Sequence, residues 1–336
     1  MGGGVASGTR YDRHPSRKPP AVIKAILIRG GELVFVAFGV SVLTFLMIHL
    51  VPGDAAQIML GAADATPERI AALRQQLGLD RPLVVQYALW IGRALHGDLG
   101  ASVWTGTPVI DEIAGRVGVT LELTLLGIAT AIIIAIPAGC LMATLRSSTA
   151  DYAVRVLSIA GVTVPSFWLG TMLIYGAGAV APNFQVVGWV PFSQNPWANL
   201  QRMLLPTIAL SLPVLASLAR VVRAAMLEAL SQDFIRVARA KGLTERRVIF
   251  RHALANALIP FITTVGIMLG YQFGGSVVIE QVFALPGLGR LMVGAIAERN
   301  YPLIQAAILL ATVGFVVVNF LVDLLYIAVD PRARRA

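Results

Sequence analysis

The chain has only three lysines in 336 residues, Lys18, Lys24 and Lys241, and none follows a glycine. A phosphate-cradling loop ends in Gly-Lys, so the chain is not expected to hydrolyse ATP. Its one cysteine, Cys140, lies in an apolar run and has no partner for an internal disulfide. The four histidines, His14, His49, His96 and His252, lack metal-ligand spacing, and no G-x-S-x-G elbow is present. No catalytic, metal or cofactor-binding residue is therefore assigned. Charge is scarce as well. Asp, Glu, Lys and Arg make up 13% of the chain, against about 25% in a soluble domain.

Hydrophobic residues fill the space and make up 57% of the chain. A helix needs about 20 apolar residues to cross a bilayer. Charge-free stretches run from Leu33 to Val51, Leu123 to Leu145, Val156 to Gln201, Met203 to Ala219, Ala253 to Ile279 and Tyr301 to Val322. The third is long enough for one span plus a polar, proline-rich return. Together they predict an all-α membrane protein with six transmembrane helices. Residues 1–28 read as a basic tail, disordered over Met1 to Pro20 where Gly, Ser, Arg and Pro dominate. Residues 29–336 read as one transmembrane domain. The first apolar run is too long for a cleaved leader and has no A-x-A end, which points to an uncleaved anchor.

Basic residues set the orientation. With the N-terminus inside, the inner segments hold Arg10, Arg13, Arg17, Lys18, Lys24 and Arg29, then Arg146 and Arg155. The loop after the fourth span adds Arg220, Arg223, Arg236, Arg239, Lys241, Arg246, Arg247 and Arg251, and the tail adds Arg332, Arg334 and Arg335. Most of the 27 basic residues are then inside, and both termini are cytoplasmic. The net charge of +9 is distributed as a topology signal rather than as a groove-facing stripe, which excludes nucleic acid as a partner.

The extracytoplasmic segment, residues 52–118, predicts helices of its own. Thr66-Pro67-Glu68 supplies an N-cap, a proline at the first position and an acid in the first turn, and Gly78 supplies a stop. Ile70, Leu73 and Leu77 share one face of this helix. After Asp80-Arg81-Pro82, a second apolar face holds Leu83, Tyr87, Trp90, Ile91 and Leu95. These faces suit packing against the bundle, or docking of a soluble binding protein.

Between Asp233 and Pro260, DFIRVARAKGLTERRVIFRHALANALIP is a basic, part-amphipathic segment between apolar runs. Phe234, Val237 and Ala238 lie close on one helical face with Arg236 and Arg239 off it, and Gly242 ends the turn. Such a helix suits a groove on another protein; a solvated connector is the alternative. Asn319 and Asp323, four residues apart, share a helix face. Asp323 should face protein or water rather than lipid. Glu280 at the outer end of span five either caps packing or lines a path. Pro137 and Pro165 should kink spans two and three.

The loop resembles the cytoplasmic EAA-type loop of bacterial ABC importer permeases. Anchored on Gly242, only Ala238, Gly242 and Leu254 match that family's general pattern. The dipeptide, oligopeptide and nickel version fits closely: Asp233, then Arg239-Ala240-Lys241-Gly242-Leu243, then His252-Ala253-Leu254 with Asn256-Ala257-Leu258-Ile259-Pro260. Further fragments resemble the same family. They include Val51-Pro52-Gly53-Asp54, Leu77-Gly78-Leu79-Asp80-Arg81-Pro82, Gly97-Asp98-Leu99-Gly100, Thr120-Leu121-Glu122-Leu123 and Val164-Pro165-Ser166-Phe167-Trp168. Glu280-Gln281-Val282-Phe283 with Pro286-Gly287-Leu288-Gly289, and Asn319, Asp323, Tyr326 and Asp330-Pro331-Arg332, complete the set. Asn300 departs from it, since an acid is usual before Tyr301-Pro302.

The resemblance implies a type I ABC importer permease fold in a bacterial inner membrane. It implies half of a translocation path for peptides or similar small solutes, completed by a second permease subunit. Two ATP-binding subunits that use ATP and Mg would dock on the coupling loop, residues 225–255, and an extracytoplasmic binding protein would deliver substrate. Asp233, Phe234, Arg236, Val237, Ala238, Arg239, Ala240, Lys241, Gly242, Leu243 and His252 form the implied docking loop. Glu280, Asn319 and Asp323 are candidates for the path or gate. The rival is an autonomous ion-coupled carrier or pore, which usually has mid-span ionisable residues and inverted repeats.

Single-cysteine labelling in intact cells checks the orientation. Impermeant reagent should reach residues 52–118, 183–201 and 284–300, and should reach 225–250 only after the membrane is opened.

Overall fold

The computed structural model describes residues 20–50, 53–64, 66–145 and 149–329. All the regular elements among them are helical. Helix α1, Pro20–Leu50, is followed by three short helices, α2 Ala55–Asp64, α3 Pro67–Leu77 and α4 Leu83–Leu95. Long helix α5, Val109–Thr144, leads to the pair α6 Thr149–Thr163 and α7 Ser166–Val180. Then come α8 Pro196–Ser231, α9 Asp233–Ala240, α10 Glu245–Arg247, a π-helical turn Val248–Ala253 and α11 Leu254–Val282. Helices α12, Leu288–Ala297, and α13, Tyr301–Val329, end the described chain.

Among the described residues five stretches are long and apolar enough to cross a membrane: Arg29–Met47, Val109–Thr144, Pro196–Ser231, Glu245–Val282 and Tyr301–Val322. The third expected span is not one helix. It is built from α6 and α7, each 15 residues, broken at Pro165, whose φ of −62° and ψ of 134° are extended. Proline lacks an N–H and disfavours the helical conformation at the residue before it, here Val164. Pro137 does not break α5, which runs through it as one helix. Helix α1 begins at Pro20, so residues 20–28 of the expected tail are helical. Residues 1–19 lie outside the described part.

Helices α5 and α8 have 36 residues each, about 54 Å at 1.5 Å per residue, so both outrun the roughly 30 Å hydrocarbon core. They pack along each other and against α11, joined by Met142, Leu218, Val222, Met226 and Phe261. Toward the opposite end Leu123, Met203, Ile279 and Phe283 continue the core. A neighbouring cluster of Ile113, Leu291, Leu303 and Ala307 ties α12 and α13 to α5.

The segment after α1 follows its sequence signals. Thr66 Oγ1 accepts from the Arg69 amide at 3.4 Å and Gly78 takes the left-handed conformation, φ 67°. Asp54 Oδ1 accepts from Ala56 N at 3.1 Å, capping α2, and its carboxyl pairs with Arg74 of α3. The Arg74 guanidinium holds the Asp54 carboxyl below its ordinary range. Helix α2 had no clear sequence signal, and the face of α4 differs from expectation. Tyr87 and Trp90 pack on Phe45 of α1 and Gln86 is buried, whereas Leu83 and Leu95 are exposed. The long amide of Gln86 is drawn inward because His49, Leu79 and Arg81 all offer it partners.

Small residues set the helix spacing. A Cβ added at Gly139 of α5 would lie 2.5 Å from Val222 Cβ and 2.8 Å from the Ala219 carbonyl oxygen of α8. Gly139→Ala should therefore cost about 1–3 kcal/mol, seen as a lower melting temperature of the purified chain. Gly176→Ala, where a Cβ meets nothing within 4 Å, should leave melting unchanged.

Candidate functional site

Helix α9 is amphipathic in an unusual place, at the projecting end of α8. Ile235 and Ala238 are buried in the core shared by α5, α8 and α11, and Leu243 packs beside them. Phe234 and Val237 point outward and are 41% and 53% exposed. The predicted face of Phe234, Val237 and Ala238 is therefore split. Ala238 belongs to the inner side, because the bundle offers an apolar floor there, and Ile235 is its partner. Arg236, Arg239, Ala240 and Lys241 are exposed with Phe234 and Val237.

The end of α9 is fixed tightly. Gly242 has φ 74°, a conformation that costs other L-residues about 1–2 kcal/mol. The Gly242 amide donates to the Arg239 carbonyl at 2.9 Å and the Leu243 amide to the Ala238 carbonyl at 3.3 Å, a paired stop that turns Leu243 inward. Arg239 grips Glu245 with two bonds, Nε to Oε1 at 2.7 Å and Nη2 to Oε2 at 3.2 Å. Asp233 pairs with Arg236 at 3.1 Å on the surface. Arg239 thus braces its own loop instead of presenting a free charge.

The chain re-enters the bundle through the π-helical turn, whose wider winding gives up regular packing and recurs at functional sites. Val248 and Ala253 anchor it in the core and Phe250 points outward, 56% exposed. His252 lies half-buried in the same turn, its carbonyl accepting from Asn256 Nδ2 at 2.8 Å. Three apolar side chains, Phe234, Val237 and Phe250, are thus exposed on the loop around α9, whose other side is built into the core.

Glu280 belongs to a second node. It is fully buried, accepts from the Thr120 hydroxyl at 2.7 Å and from the Arg290 amide at 2.9 Å. Thr120 Oγ1 in turn accepts from the Leu288 amide at 2.8 Å. The free N–H groups at the start of α12 thereby find acceptors on α5 and α11, which a helix end in an apolar surrounding requires. Gly287 makes this possible, since a Cβ there would lie 2.3 Å from Glu280 Cδ. Glu280 serves packing here. Asn319 Nδ2 donates to the Phe315 carbonyl one turn back at 2.9 Å. The side chain of Asp323 lies outside the described residues.

Ile235, Phe250, Thr120 and Gly287 were not singled out from sequence for these roles. Thr120 and Gly287 sat inside quoted fragments, and an apolar i,i+3 pair such as Ile235 and Ala238 was the available signal for the inner face.

Two family models match the chain. Residues 22–124 match the N-terminal membrane component of binding-protein-dependent transport systems, and residues 135–335 match their inner membrane component. The chain belongs to the binding-protein-dependent transport system inner membrane components, and is a permease of the ABC importer class rather than an enzyme. A Brucella abortus protein named as a peptide transport system permease is 43% identical over 309 residues, 92% of this chain and 98% of its own. The glutathione transport system permease protein GsiC of Escherichia coli is 41% identical over 315 residues, 93% of this chain and 98% of its own. The MetNI methionine ABC transporter, solved in inward-facing conformations, shares the fold, with a TM-score of 0.53 and 19% identity over 65% of this chain and 96% of that one.

Removing the Glu280 carboxyl should leave its donors unpaired at about 1–3 kcal/mol each. Glu280→Ala should lower the yield and melting temperature of the purified chain more than Glu280→Gln, which keeps one acceptor oxygen.

Proposed function

We propose that this chain forms half of a translocation path for peptides or similar small solutes, glutathione among them, with a second homologous permease subunit completing it. Two ATP-binding subunits dock on residues 225–255, an extracytoplasmic binding protein delivers substrate, and both chain termini are cytoplasmic. The names of the peptide and glutathione permease relatives support the substrate class. One observation carries the coupling role. The loop that exposes Phe234, Val237 and Phe250 is anchored by Ile235, Ala238 and Val248 in the core of α5, α8 and α11. A partner that moves α9 therefore moves the ends of the three central helices with it. Closure of the ATP-bound partners draws the two docking loops together and tilts the spans from inward-facing to outward-facing, a two-state change coupled at a distant site.

An autonomous carrier is disfavoured on the same grounds. Among the described residues Glu280 is the only charged side chain in the buried set, and its carboxyl caps a helix.

The double substitution Phe234→Asp with Val237→Asp should leave insertion and melting intact, since both side chains are exposed. It should weaken docking by about 30-fold or more, from two apolar contacts worth roughly 1 kcal/mol or more each. Transport and binding-protein-stimulated ATPase of the reconstituted complex should then fall together. Ala238→Asp should act differently, lowering the amount of folded chain by burying an unpaired carboxylate. Full transport by a stably inserted double variant would show the loop to be a solvated connector.

A further inference from the structure

A cavity of about 370 Å³ opens between the C-terminal end of α1, helix α4 and the turn at residues 98–101. It is in the range of small-molecule sites. Its floor is built: Gln86 is buried and held by its amide, donating to the Arg81 carbonyl at 2.7 Å and to the Leu79 carbonyl at 3.3 Å, with His49 Nε2 3.1 Å from its oxygen. Two arginines, Arg81 and Arg93, are among the lining residues, and neither side chain has a partner among the described residues. The one acid in the lining, Asp98, already accepts from the Gly100 amide at 2.9 Å. Phe45 and Trp90 form an aromatic wall, their ring centroids 6.0 Å apart. The cavity therefore offers positive charge and an apolar side to one ligand.

Its depth says which ligand. Helix α4 has 13 residues, LVVQYALWIGRAL, with Arg93 as its single charge. At about 20 Å it is too short to cross the hydrocarbon core. It is also too apolar to stand in water, with Val84 79% and Leu95 80% exposed. Such a helix lies along the headgroup layer, where tryptophan also concentrates. The two unpaired arginines therefore sit at the level of lipid phosphates.

We propose that this cavity binds the headgroup of an anionic phospholipid from the leaflet at the C-terminal end of α1. Its phosphate meets Arg81 and Arg93, and its acyl chains lie along the exposed apolar side of α4. The site is separate from the docking loop and does not depend on which solute is carried.

The full-length chain, reconstituted in phosphatidylcholine bilayers with or without phosphatidylglycerol and then released for native mass spectrometry, tests this. Phosphatidylglycerol should stay bound in preference to phosphatidylcholine. The double variant Arg81→Gln with Arg93→Gln should retain it about 30-fold less at low salt, each surface arginine contributing about tenfold or less. Arg290→Gln, an exposed arginine outside the cavity, should behave as the unaltered chain. A second measurement needs no arginine variant. Brominated phosphatidylglycerol should quench the tryptophan emission that disappears in Trp90→Phe more strongly than the same fraction of brominated phosphatidylcholine. Equal retention by the double variant, equal quenching by both lipids, or displacement of bound lipid by inorganic phosphate or a dipeptide would each overturn the assignment. The last result would give the site to a water-soluble anion.

Discussion

Lipid gives helices no hydrophobic reason to associate with one another, so this bundle depends on how closely its backbones can approach. One close seam is between α5 and α8, where Gly139 leaves no room for a Cβ beside Val222 and Ala219. A second is between α11 and α13, where a Cβ at Gly266 would lie 2.1 Å from Val322 Cγ1. Close seams of this kind hold dispersion contacts that a small displacement forfeits, so helices joined by them move as units. Helix α8 packs in the centre of that unit and runs straight out to α9. The position of α9 and its loop follows from the packing of α8.

The spans were legible because hydrophobicity along the chain is a one-dimensional signal, and the stops at Gly78 and Gly242 because a left-handed backbone favours one residue type. What proline does inside a span was not legible. Pro137, Pro206 and Pro213 lie within continuous helices whereas Pro165 separates two. The outcome depends on neighbours that satisfy the freed backbone groups, and those neighbours come from elsewhere in the fold. The same limit applied to Glu280, whose hydroxyl partner Thr120 is 160 residues away in sequence. Both residues lay in fragments that looked significant, but their pairing through the start of α12 is a tertiary fact.

Helix α9 shows the limit at its finest. Its apolar residues Phe234, Ile235, Val237 and Ala238 share one continuous arc of about 160° at 100° per residue, so periodicity gives a single apolar face but not which edge of it is buried. The bundle decides by placing an apolar floor under Ile235 and Ala238. The residues left outside, Phe234 and Val237, are then the informative ones, since exposed apolar side chains on a short, well-fixed helix suit a partner surface. The arginines that suggested docking in the sequence have partly different work. Arg239 closes the loop onto Glu245, and Arg236 pairs with Asp233 within the helix.

Helix α12 joins the bundle to the segment between α1 and α5 through polar contacts at both ends. At its start Thr120 and Glu280 take the free amides. Beyond its end Asn300, almost fully buried, donates to Ser102 Oγ at 2.8 Å and accepts from the Val103 amide at 3.4 Å. Trp104 Nε1 donates to the Glu298 carbonyl at 2.8 Å beside it. An amide suits this place because it both donates and accepts, whereas a carboxylate only accepts. Burial also penalises a charge with no cation to pair it, and asparagine avoids that cost. Asn300 therefore makes both contacts without burying a charge. With α12 held to α5 and α11 at one end and to residues 102–104 at the other, the segment between α1 and α5 is tied to the same unit that carries α9.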